Sequence, residues 1–107
     1  MKVDKYLFLF PEAVRLTSQR MKVKNLTLSE LTLLYLCRRI HGNISAAIVG
    51  RLCDKYFLTF TVRTIREGLI TLADNNLLIK DKDFYTVTAE GREFMYRVNR
   101  YLINFRL

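Results

Sequence analysis

The feature that most narrows the possible folds is the run of signals in residues 61–91, which reads as a helix, a tight hairpin and the cap of another helix. Val62, Ile65, Leu69 and Leu72 recur at spacings of three, four and three, so a helix carries all four on one face. Arg63, Thr64, Arg66, Glu67 and Ile70 then fall elsewhere on the wheel. Thr59 or Thr61 can accept hydrogen bonds from the first-turn amides, which otherwise lack partners. Asn75 and Asn76 are of the type that, after Gly, best tolerates the left-handed backbone ending a helix. Beyond that stop, residues 77–80 and 84–87 are apolar, aromatic and β-branched runs on either side of Asp81, Lys82 and Asp83, which suit a turn. Thr88 is placed to cap a last helix from Ala89.

Upstream, Thr27 and Glu30 have the spacing of a capping box, in which the hydroxyl and the carboxylate satisfy helix-start amides reciprocally. Leu31, Leu34 and Tyr35 follow on one face, and Leu33, Leu36, Cys37 and Ile40 on an adjoining one, a width of apolar surface that belongs to a central helix. Arg38 and Arg39 complement the negative end of its dipole. His41, Gly42 and Asn43 stop it. Ser45 caps the next helix, through about Lys55, with Ile48, Val49, Leu52 and Cys53 facing inward. The aromatics of residues 56–60 are expected to seal the corner before Val62. Tyr6 to Phe10 is a five-residue apolar run that suits either a strand or a buried helix start. Pro11 fits a first helical position, giving an expected short helix over about 11–20.

The 72–78 string LADNNLL, the short charged hairpin and the 86–94 string TVTAEGREF resemble the recognition helix, wing and following helix start of MarR-like and PadR-like winged-helix regulators. The 26–36 string LTLSELTLLYL is similar to the helix before the helix-turn-helix in those families. From first to last, residues 26 to 94, these matches span roughly two thirds of the chain. The resemblance implies an α+β, mostly α, winged helix-turn-helix fold, with Ile44 adding a brief strand beside the wing. As one domain it divides into an N-terminal extension over 1–25, a winged-helix core over 26–88 and a C-terminal dimerisation helix over 89–107. The leading reading is a homodimeric regulator on double-stranded DNA. The helix over about 61–75 then enters the major groove and the wing over 77–88 lies on the backbone or minor groove.

On that reading Arg63 and Arg66 reach base edges, since Arg can bond both acceptors of guanine, and Thr64 and Ile70 touch thymine methyls. Thr61 at the helix start and Lys82 at the wing tip position phosphates. Phe94, Val98, Tyr101 and Phe105 form an apolar stripe on the last helix, widened by Leu102. A helix from Ala89 to Phe105, roughly 25 Å at 1.5 Å per residue, overshoots a small core, so the stripe is expected to meet a second copy. Phe8 and Phe10 are expected to pack on that helix or on the same partner.

Charge sharpens the alternative. The chain of 107 residues carries 18 basic and 10 acidic side chains, a net +8 that favours a polyanionic partner. Yet residues 61–88 hold four of each, so the supposed reading helix and wing are neutral, which favours a winged-helix module that binds protein instead. Arg15, Arg20, Lys22 and Lys24 lie in a run without acids, read as a solvated linker or as a phosphate-contacting arm. Cys37 and Cys53 lack the CxxC spacing and are expected as buried thiols rather than a redox pair. His41 is the only histidine, and no nucleophile and acid stand at triad spacing around it. Neither catalysis, a bound metal nor any cofactor is expected, and a small-molecule effector is left open. No apolar run approaches the ~20 residues of a membrane span, and the N-terminal segment lacks a small-residue cleavage site, so a cytoplasmic protein is expected.

Overall fold

Five helices and one two-stranded antiparallel sheet make up the α+β, mostly helical fold of the computed structural model, which describes residues 2–104 and the side chains of 9–103. The order is α1 (Lys2–Met21), α2 (Leu28–Arg39), α3 (Ala46–Lys55), α4 (Val62–Asp74), β1 (Leu78–Asp81), β2 (Phe84–Val87) and α5 (Ala89–Asn104). Local chemistry sets most of these limits. The Thr27 hydroxyl accepts from the Glu30 amide at 3.2 Å while the Glu30 carboxylate accepts from the Thr27 amide at 2.9 Å, completing the capping box of α2. Ser45 and Thr61 cap α3 and α4 in the same way, accepting from Ile48 N at 3.2 Å and Thr64 N at 3.1 Å.

α2 lies at the centre. Leu31, Leu33, Leu34, Leu36 and Cys37 are all buried, and the helix packs against α3, α4 and β2. From α4 the core takes Ile65, Leu69 and Leu72, but not Val62, which is 63% exposed. Val62 stands in the first turn of α4, ahead of the part of the helix that rests on α2. The sheet pairs Leu78 with Val87 and Asp81 with Phe84, leaving a two-residue turn in which Lys82 takes a positive φ of 56°. Ile44 adds an antiparallel bridge to Tyr85, whose amide donates to the Ile44 carbonyl at 2.8 Å.

The N-terminal segment departs from its expected form. Pro11 sits inside the 20-residue α1 and does not begin it. A proline has no amide to donate, yet a helix tolerates that loss where packing holds the rest of it. Ala13, Val14, Thr17 and Ser18 form the buried side of α1, and α5 is the helix on which it rests. Phe94, Met95 and Val98 of α5 are fully buried within this one chain. Phe94 and Val98, expected at a subunit interface, are therefore core residues: α1 already covers the stripe on α5. Tyr101, Leu102 and Phe10 are partly buried against the same core, while the side chain of Phe8 and all of Phe105 lie outside the described residues.

One junction locks the two halves of this arrangement. Thr88 Oγ1 donates to the Asn76 carbonyl at 2.6 Å and accepts from Gly91 N at 2.9 Å, and Thr88 N donates to the Leu77 carbonyl at 3.2 Å. A Cβ on Gly91 would collide with the Leu77 carbonyl oxygen, a backbone atom that cannot swing aside. Gly91→Ala is therefore expected to destabilise the fold by about 2–3 kcal/mol, the upper part of the range for overpacking. A Cβ on Gly50 meets only Ile65 Cδ1 at 3.9 Å, so Gly50→Ala should stabilise α3 by up to about 1 kcal/mol. Urea unfolding of the two variants, followed by circular dichroism, checks both signs.

Candidate functional site

The outer face of α4, with α3 and the hairpin on its flanks, gathers most of the residues singled out by the sequence. Ile65, Leu69 and Leu72 anchor α4 to α2, which leaves Arg63, Arg66, Glu67 and Ile70 in solvent and Thr64 half-buried. These four exposed side chains differ in what else they do. Arg63 Nε donates to Glu67 Oε1 at 2.9 Å, one turn along the helix, and this carboxylate raises the guanidinium's pKa through the hydrogen bond and then through its charge. The pair is exposed at both ends, so it adds little to stability, but it offsets the charge of Arg63. Arg66 has no carboxylate partner among the described residues.

Thr61 also differs from its expected role. Its Oγ1 accepts from Thr64 N and stands 2.9 Å from Thr64 Oγ1, so the hydroxyl is engaged in capping α4. Its capacity for a phosphate is correspondingly reduced. Lys82 stands exposed at the tip of the hairpin beside Asp83, with Asp81 at the end of β1.

Two shallow clefts meet at Arg66. One of about 420 Å³ runs between α3 and α4, floored by Ala46, Ala47 and Gly50 and edged by Arg51. The other, about 380 Å³, lies between α3, Ile70 of α4 and the hairpin residues Lys80 and Tyr85. Arg51 and Lys80 thus join the site without having been singled out in the sequence. The small residues at 46, 47 and 50 were the legible signal, since a helix face without bulk leaves a groove beside its neighbour.

The N-terminal basic run is not a free arm. Arg15 is ion-paired with Glu12, Lys24 lies 3.6 Å from the Glu30 carboxylate, and Lys24 N donates to Asn75 Oδ1 at 2.9 Å. Arg20 instead joins Arg97 and Arg100 around a cleft of about 430 Å³ between α1 and α5, where Glu93 holds Arg97 at 2.8 Å. In the linker before α4, Leu58 and Phe60 pack on the core, as a sealed corner requires. Phe57 does not, being 91% exposed.

Among the described residues, no three His, Cys, Asp or Glu side chains are gathered as metal ligands would be, and no helix is long and apolar enough to cross a membrane. The chain matches no family model, no curated protein and no solved structure.

Cys37 and Cys53 are free and buried. Burial pushes the Cys37 thiol from its ordinary 9.0 up to about 12, and burial, then the charge of Asp54, raises that of Cys53. In both, burial therefore disfavours the thiolate that reacts. Both should resist a thiol reagent at pH 8 and react rapidly in denaturant. Because the folded-state pKa is the higher one, this contribution to stability is full below pH 9 and falls as the pH rises from 9 towards 12. Reagent titration and urea melts across that window test the two statements.

Proposed function

We propose that this chain is a winged-helix protein that binds double-stranded DNA as a sequence-specific transcriptional regulator, with α4 as the reading helix and the β1–β2 hairpin as its wing. The single observation that carries the reading is the placement of Arg66. It is exposed on a capped helix, unpaired with any acid among the described residues, and open to grooves on both sides. The order of elements supports it: a central helix, a bridge strand at Ile44, two helices, a hairpin that pairs with that bridge, and a following helix.

Within this reading Arg66 contacts base edges, and Thr64 and Ile70 flank it as methyl contacts. Arg63 is secondary, because guanine has to compete with Glu67 for its guanidinium. Lys82, with Lys80 and Arg51 at the groove edges, contacts phosphates. A homodimer presents two such helices to a two-fold operator. Since α1 covers Phe94 and Val98, the second copy must dock on what remains open on α5, where Tyr96 and Ile103 are more than half exposed.

A second reading has a specific observation in its favour. Val62 and Ile70 on α4, and Ile79 and Phe84 on the hairpin, are apolar and exposed, on a segment whose charges cancel. A protein-binding module uses such a surface without reading DNA.

Salt separates the two. Duplex binding, followed by fluorescence anisotropy, should weaken steeply between about 50 and about 200 mM salt through counterion release. On the preferred operator Arg66→Ala should cost about 1–3 kcal/mol, and Arg63→Ala clearly less. Absence of duplex binding at the lower salt would leave the protein-binding module as the better account. Light scattering at micromolar concentration tests the dimer: a mass of 12.7 kDa, that of one chain, would overturn it.

A further inference from the structure

Three helices of this chain end in the same manner. After α1, α3 and α4, the amide of an apolar residue reaches back over one residue in the left-handed conformation: Val23 to Ser18 at 3.0 Å, Leu58 to Cys53 at 2.8 Å and Leu77 to Leu72 at 3.0 Å. The apolar residue turns inward each time, and the left-handed one before it turns out. That outward position favours Gly, then Asn, because a Cβ there crowds the backbone. At the end of α4 it holds Asn76, with φ 62°, and at the end of α1 Lys22, with φ 58°. Both are polar and solvated.

At the end of α3 it holds Phe57, with φ 58° and 91% of its surface exposed. The aromatic ring gains nothing from the core, and its backbone is strained by having a side chain at all. Turn formation does not call for it, since Asn76 serves in the same geometry at the end of α4.

The surroundings indicate what covers it. Its neighbour Tyr56, 40% exposed, has the Arg39 guanidinium carbon 5.5 Å and the Lys55 ammonium 5.7 Å from its ring centre. Arg39 also donates to the Tyr56 phenol oxygen at 3.0 Å, so the cation from α2 is fastened to the end of α3. Neither Arg39 nor Lys55 has a carboxylate partner among the described residues. The exposed Phe57 thus follows directly in the chain on Tyr56, whose ring holds two cations that no carboxylate neutralises, and this set complements a flat aromatic group flanked by anions.

We propose that this corner binds single-stranded nucleic acid, an unpaired base stacking on Phe57 while adjacent phosphates pair with Arg39 and Lys55. Every base has a π face, so the contact tolerates any sequence, and the cations track the backbone. A duplex keeps its bases stacked on one another and cannot offer one without opening. An apolar protein partner would cover Phe57 equally well but would leave Arg39 and Lys55 unanswered. This site does not include Arg66, so it and the duplex reading can fail separately.

The test is anisotropy of a labelled oligothymidine of about 12 nucleotides, within the span of small single-strand sites, titrated with the purified chain. Phe57→Asn should weaken binding roughly tenfold, the loss of one stacked base, and Phe57→Trp should restore it. An abasic oligonucleotide of equal length should bind the unaltered protein about as weakly as oligothymidine binds Phe57→Asn. A folding defect cannot imitate this result, because Asn suits the left-handed position and the variant should melt no lower than the parent. Arg66→Ala should leave oligothymidine binding unchanged, whatever it does on a duplex. Equal binding of Phe57→Asn and the parent, equal binding of abasic and oligothymidine strands, or no binding of oligothymidine would each overturn the proposal.

Discussion

The hydroxyl of Thr88 is the interaction on which the geometry of this chain depends. It joins the end of α4, through the Asn76 carbonyl, to the start of α5, through Gly91 N, and so closes the base of the hairpin that runs between them. Asn75 ties the same place to the α1–α2 connection by accepting from Lys24 N. Strands of four residues on a two-residue turn would hold little by themselves. Their stability comes from this base and from the buried pair Leu78 and Tyr85, which rest on the core and on Ile44.

What the junction does for the candidate site follows from rigidity. With α4 fixed on α2 by Ile65, Leu69 and Leu72, and the hairpin fixed at its base, the outer face of α4 and the edge of the hairpin have a set relation, and the groove between them is preformed. Charge then decides which residues can act there. Arg63 spends part of its donor capacity on Glu67, and Thr61 on capping, so the open functionality narrows to Arg66 and to the cations at the groove edges. Residues 61–88 are neutral, so the net +8 of the chain comes from residues outside α4 and the hairpin, among them Arg20, Arg97 and Arg100 at the α1–α5 cleft and Arg39 and Lys55 at the end of α3.

Several of these features are legible in the residues alone. The Arg63 and Glu67 pair is an i,i+4 spacing, visible without coordinates, and its consequence for Arg63 is a matter of local chemistry. The α5 stripe is the opposite case. Phe94, Val98 and Tyr101 do lie on one face, but periodicity says only that a face is covered, not by what. Here the cover is α1, whose small buried residues Ala13, Val14, Thr17 and Ser18 let it lie against its neighbour. Val62 keeps the period of its helix and is exposed all the same, as the first residue of α4.

The sequence by itself determined where the helices after α1 begin, and where the hairpin turns. Thr27, Ser45, Thr61 and Thr88 each satisfy amides three residues on, and Asn76 accepts the left-handed backbone, all within a span of a few residues. Only the tertiary structure decided that α1 covers α5, that Pro11 stays within a helix, that Phe57 stands in water and that Arg39 reaches Tyr56. Each of these depends on which surfaces meet across long separations in the chain, and close packing, unlike capping, has no short-range signature from which the partner can be read.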